Sequence, residues 1–316
     1  MRQIIMRSIF LIFMILAACG MVFAQKLVTF ENGEHQYSLQ YPESWFLADD
    51  EDFELYTSKD IEDRKTDGAV FTVQVSELEM DDLKNRENIF SRVMKDMNGD
   101  IQLGDLSSKY FAGTEWEAAS FSVEDLYIAK AYCTVKNLKI YIIAVGYIDA
   151  ASETKYSGEI NSMLESFVIS PIVFETIQND ELGITFQYPQ HWEFQEESGM
   201  GYTITTDESA SSTEDIMAGI AIGVMPAGTL GGSEEEIVKQ ISGSSNKIIY
   251  GPEKRDIGGM SWTYLEVTEG PNKGTIAVRA TKEKLWLIVT IVNPVELEPD
   301  MEEIFMTFFN SLQFAE

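Results

Sequence analysis

Tyr41-Pro42-Glu43-Ser44-Trp45 returns later in the chain as Tyr188-Pro189-Gln190-His191-Trp192. Each is entered by an alternating run: Tyr37, Leu39 and Tyr41 in the first copy, Ile184, Phe186 and Tyr188 in the second. Period two is the mark of a strand with one buried face. The proline that follows has no N–H to give to a ladder, so it ends the strand. Further landmarks keep the same spacing to within a residue. Trp116 follows Trp45 as Trp262 follows Trp192, and the closing Leu164-Glu165-Ser166-Phe167 answers Phe309-Asn310-Ser311-Leu312. A pattern repeated at this period signals a duplicated structural unit.

Between these landmarks the two copies run in parallel. Strands are expected over Phe53 to Thr57 and Tyr202 to Thr206, then at Phe71-Val73-Val75 and Ile220-Ile222-Val224. Helices follow. Leu83, Phe90, Val93, Met94 and Met97 share one face, as do Ile237, Val238 and Ile241. Ser233 and Glu236 have capping-box spacing for the second of these helices. A strand carrying Trp116 or Trp262 leads to a hairpin, Ala129 to Tyr147 turning near Lys136-Asn137, and Thr275 to Val292 turning near Glu283. The last helix shows Tyr156, Ile160, Met163, Leu164 and Phe167 at helical spacing, matched by Met301, Ile304, Phe305, Phe308 and Leu312. The expectation is an α+β chain of two tandem domains, residues 25–170 and 171–316, each an antiparallel sheet covered by helices. The junction Ile169-Ser170-Pro171-Ile172 is short and has no Gly/Ser tether.

Composition agrees with packed cores: 45% of the 316 residues are hydrophobic and 11% aromatic. The first 24 residues read as an export signal, with Arg2 and Arg7 ahead of the apolar run Ile9 to Leu16. Two exits compete. Leu16-Ala17-Ala18-Cys19 has the form of a lipobox, with the signal ending at residue 18 and Cys19 the lipidated residue; Val22-Phe23-Ala24 before Gln25 has the form of an ordinary cleavage site. Gly20-Met21-Val22-Phe23 is not the polar tether that usually follows a lipidated cysteine. Soluble export to the periplasm or the exterior is therefore the expectation, with a lipid anchor through Cys19 as the alternative.

The net charge is −29. A chain this acidic has no basic face with which to displace counterions from a phosphate backbone, which argues against nucleic acid as a partner. An anionic membrane is disfavoured by the same charge, except through a lipid anchor. A basic protein or cationic ligand fits it better.

The strand-Tyr-Pro-x-x-Trp opening, the Gly-x-x-Trp of Gly113 to Trp116 and Gly259 to Trp262, the hairpin and the closing amphipathic helix together resemble the PsbP-like family. That family includes Ran-binding Mog-type proteins and exported bacterial domains. The resemblance spans nearly all of residues 29 to 315 as two tandem copies. It implies an α/β/α sandwich around an antiparallel sheet and non-enzymatic accessory or binding roles. No functional residue carries over from it.

Candidate chemistry is sparse. Tyr41, Pro42, Trp45, Trp116, Tyr188, Pro189, Trp192 and Trp262 read as a fold signature, since both copies carry them. His35 and His191 occupy different places in the repeat, with neither a nucleophile elbow nor metal spacing around them. Asp49, Asp50, Asp52, Glu54, Asp60 and Asp63 crowd two loops after Trp45 and could supply oxygens to Ca²⁺, but they lack EF-hand spacing. No other cofactor is expected. Paired carboxylates acting on envelope polymers form a second alternative. Gly228 to Ser233 leads into a helix, but Glu234-Glu235-Glu236 fill the end where a phosphate would bind. Cys133 aligns with Arg279 and reads as a small buried hydrophobe. The expected function is binding by an exported envelope protein.

Overall fold

The structure, a computed structural model, describes residues 26–49, 53–57, 68–79, 82, 89–98, 104–123, 127–197, 199–206, 216–243 and 247–315. The chain groups into two compact units. The first comprises residues up to Ser76 with Phe90–Val135 and Lys139–Ser170; the second comprises Glu77–Ile89, Lys136–Leu138 and Pro171–Glu316. The export signal with Cys19, and the acidic residues Asp50, Asp52, Asp60 and Asp63, lie outside the described residues, as does Leu83.

The first half runs β1 (Leu27–Asn32), β2 (Tyr37–Pro42), β3 (Phe46–Asp49), β4 (Glu54–Tyr56), β5 (Ala69–Glu77), α1 (Ile89–Asn98), β6 (Ser107–Phe111), β7 (Thr114–Val123), β8 (Tyr127–Lys136), β9 (Lys139–Tyr147), α2 (Ala150–Ser166) and β10 (Val168–Ile169). The second runs β11 (Phe174–Asn179), β12 (Ile184–Pro189), β13 (Glu193–Glu197), β14 (Gly201–Thr205), β15 (Ala218–Pro226), α3 (Glu234–Ser242), β16 (Lys247–Ile257), β17 (Met260–Glu269), β18 (Asn272–Ala280), β19 (Lys284–Val292), α4 (Glu298–Ser311) and β20 (Gln313–Phe314). Strand order is the same in both halves. A three-stranded sheet, β1-β2-β10 or β11-β12-β20, accompanies a seven-stranded sheet, β3-β4-β5-β9-β8-β7-β6 or β13-β14-β15-β19-β18-β17-β16.

Several expectations are corrected. Neither half opens with the Tyr-Pro strand: β1 and β11 precede it and pair with it antiparallel along its whole length. Each half holds two sheets rather than one. The stretch after Trp45 is not all loop, because Phe46–Asp49 forms edge strand β3, as Glu193–Glu197 forms β13. Cys133 pairs with Glu117 as Val278 pairs with Thr263, so its counterpart is Val278 and not Arg279. Both are buried.

Alternation decides which side chains meet. In the first unit the odd positions of β9, Tyr141, Ile143, Val145 and Tyr147, join Phe71 and Val73 of β5. Ile160, Met163 and Leu164 of α2 close over them, with Tyr37 and Leu39 of β2. In the second unit α3 lays Ile237 and Val238 on Leu265, Val267, Ile276, Val278 and Leu285. The opposite parity of β19, Trp286 and Ile288, is buried on the other face, where Trp286 meets Phe314 of β20 edge-on at 5.2 Å. Burying side chains of this size stabilises by about 1.5–3 kcal/mol each.

Local signals set the ends. Ser233 and Glu236 form the capping box expected at α3. The Asp149 side chain accepts from Ser152 N at the start of α2. The β8–β9 hairpin turns through Asn137 and Leu138, both at positive φ, the conformation that matches strand twist in a two-residue turn.

Candidate ligand-binding clefts

In each half the Tyr-Pro-x-x-Trp residues sit where a strand, a turn and the last helix meet. Pro42 and Trp45 are buried and Tyr41 is half-buried; Tyr188, Pro189 and Trp192 are all buried. In both copies the backbone N–H of the tryptophan donates to the proline carbonyl, Trp45 to Pro42 at 2.9 Å and Trp192 to Pro189 at 3.0 Å. The indoles then meet the last helix edge-on, Trp45 against Tyr156 and Trp192 against Phe305. Trp116 stacks on Phe111 at 4.8 Å, and Trp262 packs against Phe314 at 5.3 Å. These aromatics join strand, turn and helix.

Among the other candidates, the Glu54 carboxylate accepts from the Tyr56 hydroxyl at 3.2 Å, and Asp49 ends β3. Among the described residues, no three His, Cys, Asp or Glu side chains converge as a metal-binding group. The half-buried His35 gives its carbonyl to Tyr141 Oη, and His191 is exposed. Burial pushes the Cys133 thiol up to about 12, and nearby Glu117 adds to the effect; a thiol so placed is not a nucleophile at neutral pH.

Glu234 has a role the sequence hid. Read as one of three acids facing the α3 dipole, it in fact reaches back over the sheet. Its carboxylate accepts from Lys254 Nζ, from Thr263 Oγ1 at 2.8 Å and from Ala280 N at 2.7 Å. Burial alone would raise its pKa; those donors outweigh it and hold the carboxyl below its ordinary value. The residue ties α3 to β16, β17 and β18.

A cleft recurs at one place in each half, between the last helix and the strands β6–β8 or β16–β19. The first has a volume of about 420 Å³ and is lined by Lys109, Ser120, Lys130, Tyr132, Asn161 and Glu165 among others. The second, about 360 Å³, is lined by Arg255, Tyr264, Glu266, Lys273, Thr275, Phe305, Met306 and Phe309 among others. Register makes the two equivalent. Lys109 pairs with Trp116 as Arg255 pairs with Trp262, and Asn161 and Met306 stand equal steps before Ser166 and Ser311.

Their chemistry differs. In the first, Lys130 pairs with Glu153 at 2.5 Å. Burial raises the Tyr132 phenol, with Glu153 adding to this and Lys130 opposing it. In the second, Tyr264 stands where the first half has Ala118, and the Arg255 guanidinium lies over its ring at 3.8 Å. Tyr264 Oη donates to Glu266 Oε1 at 2.9 Å, and Lys273 Nζ lies 3.3 Å from Glu266 Oε2. Burial keeps the Tyr264 phenol protonated beyond its ordinary range, with Glu266 reinforcing and Thr275 and Arg255 opposing. The helix side changes as well: where α2 presents Asn161 and Glu165, α4 presents Met306 and Asn310, and Met306 is 51% exposed.

No protein-family model and no curated protein sequence matches the chain. Solved structures do resemble it. The solution structure of cyanobacterial PsbP (CyanoP) from Synechocystis sp. PCC 6803 is similar over 48% of this chain and 96% of its own, at 17% identity and a TM-score of 0.34. The Ran-binding protein Mog1p of Saccharomyces cerevisiae is similar over 46% of this chain and 96% of its own, at 11% identity and a TM-score of 0.30. The immunity protein TplEi of the Pseudomonas aeruginosa T6SS aligns over 91% of this chain and 97% of its own, at 10% identity and a TM-score of 0.26.

Proposed function

We propose that this chain is an exported, non-enzymatic binding or accessory protein of the bacterial cell envelope. In this reading it comprises two tandem PsbP-like domains, each an α/β/α sandwich, and the second-half cleft is its working surface. One observation carries the reading. A cleft recurs at the same register in both halves, and in the second its helix wall has become Phe305, Met306 and Phe309, apolar side chains left partly open to water. Exposed apolar surface beside fixed polar groups is the usual composition of a recognition site. The acidity of the chain would steer it toward basic surroundings and keep it soluble between encounters.

The test is retention from a fractionated envelope extract on the immobilised chain from Gln25 onward, compared with Met306→Glu, which places a carboxylate on the exposed apolar wall without touching the core. A component bound by the parent chain and released at least tenfold by Met306→Glu is the expected result. Equal retention by both chains would move the working surface elsewhere.

A further inference from the structure

Taking the second-half cleft as the working surface, we infer that it binds a small amphiphile: an apolar, aryl or alkyl body ending in a carboxylate, with the anion on Arg255 and the body on the wall of α4. Four observations lead there. First, the guanidinium is held in a fixed plane. It lies over the Tyr264 ring at 3.8 Å and near the Tyr250 ring at 5.1 Å, while its Nε donates to Glu253 Oε1 at 2.9 Å. A guanidinium has five N–H donors, and its hydrogen-bond partners among the described residues are Glu253 and Tyr250. Donors therefore remain for a planar, two-oxygen acceptor, the geometry that a pre-oriented arginine recognises best.

Second, of the other lining charges Lys273, Glu266 and Asp256 are already engaged, while Glu302 of α4 stands exposed at the cleft. Lys273 pairs with Glu266, Glu266 also accepts from Tyr264, and Asp256 accepts from Gly259 N at 3.1 Å. The carboxylate that partners Arg255 belongs to Glu253, which is outside the lining. The guanidinium thus lines the cleft with hydrogen-bond donors to spare. Third, the wall opposite is apolar and adaptable, since an exposed methionine flanked by two phenylalanines can mould to varied hydrocarbon shapes. Fourth, a cleft of about 360 Å³ suits a small molecule. The charge of −29 on the whole chain opposes any anion. Screening limits that opposition to neighbours within roughly 8 Å at physiological ionic strength, which sets the lining carboxylates Asp256, Glu266 and Glu302 against the lining cations Arg255 and Lys273, with the direct contact to Arg255 favouring the anion.

The test is isothermal titration of the chain from Gln25 onward with three probes of one shape: 4-phenylbutyrate, 4-phenylbutanol and 4-phenylbutylamine. The carboxylate should bind at least tenfold more tightly than the alcohol or the amine. Arg255→Gln should abolish that advantage while the alcohol binds as before, and Arg255→Lys should restore part of it. Met306→Glu should weaken both the carboxylate and the alcohol. If Arg255→Gln does not fold, the ranking of the three probes on the parent chain decides alone. An amine or alcohol that binds as tightly as the carboxylate overturns the ligand class while keeping the cleft as a binding site. Failure of all three to bind overturns the amphiphile, and the envelope-retention experiment then judges the cleft separately.

Discussion

The indole N–H of Trp45 donates to the Glu159 carboxylate at 2.5 Å, tying the Pro-Trp turn to helix α2. The indole nitrogen of Trp192, the same residue of the second copy, is buried without an acceptor among the described residues. At equal steps before the closing serines, Glu159 is replaced by Ile304, a buried core residue of α4. The second copy has exchanged a hydrogen bond for apolar packing at its signature tryptophan.

That difference sets an order of mutational cost. Trp45→Phe removes a charged hydrogen bond as well as ring area; Trp192→Phe removes ring area and relieves an unsatisfied donor. Equilibrium urea unfolding followed by circular dichroism should show Trp45→Phe costing more by about 1 kcal/mol. The reverse order would show that the Glu159 contact contributes nothing.

The two copies share a second anchor. Gln40 N donates to Ser166 Oγ at 2.9 Å and Gln187 N to Ser311 Oγ at 2.8 Å. Each hydroxyl also donates to a carbonyl of its own helix, Met163 or Phe308. Ser311→Ala should cost about 1 kcal/mol and speed hydrogen exchange at the Gln187 amide, an effect read by NMR. An unchanged Gln187 rate would remove the anchor from the description.

Two glycines with positive φ are predicted to differ sharply on substitution. Gly113 has φ +75 and open space where a Cβ would go, so Gly113→Ala meets backbone strain alone, about 1 kcal/mol. Gly201 has φ +143, and its Cβ would lie 1.7 Å from the Ile222 carbonyl oxygen in the neighbouring strand. Gly201→Ala must part β14 from β15 and should cost more than about 3 kcal/mol. Thermal melts of the two variants give the comparison.

Titration should limit the fold on the alkaline side. Burial raises Cys133 and Tyr147 to about 12 each, and it is the leading cause of the upward shifts of Tyr132, Tyr188, Tyr202 and Tyr264. The unfolded chain gives up these protons first, from about pH 8.5 for a free thiol and pH 10 for a free phenol. It therefore binds fewer protons than the native chain, and stability falls as pH rises through that range toward 12. Below pH 8 the contribution is complete. Urea midpoints that fall steadily between pH 8.5 and 11 are expected, with Cys133 unreactive to thiol reagents in the folded chain.

How much of this was legible depended on which residues repeat a buried face. The Tyr-Pro-x-x-Trp strands, the β8–β9 hairpin and both closing helices have alternating or helical apolar runs, and all lie where those runs place them. The outer strands gave no such signal. β6 exposes every residue but Phe111, and β16 is exposed over most of its length, because an edge strand need not bury a face. β10 and β20 are two residues long, shorter than any period can register. The cleft was beyond reach for another reason. Arg255, Tyr264, Lys273 and Met306 are brought together by strand register and by the seating of α4, and no local pattern along the chain encodes that meeting. The substitution of Ala118 by Tyr264 between copies was readable, but its meaning required the arginine beside it.

The most direct test places a photo-activated cross-linking amino acid at Met306 of the full-length chain in its native cells, with a matched chain carrying the same group at the exposed Glu175 of β11. A discrete adduct at Met306, absent at Glu175 and lost when Arg255→Gln is added, is the expected result. Adducts of equal yield at both positions, or none at Met306, would contradict the assignment of the second-half cleft as the surface through which this protein works.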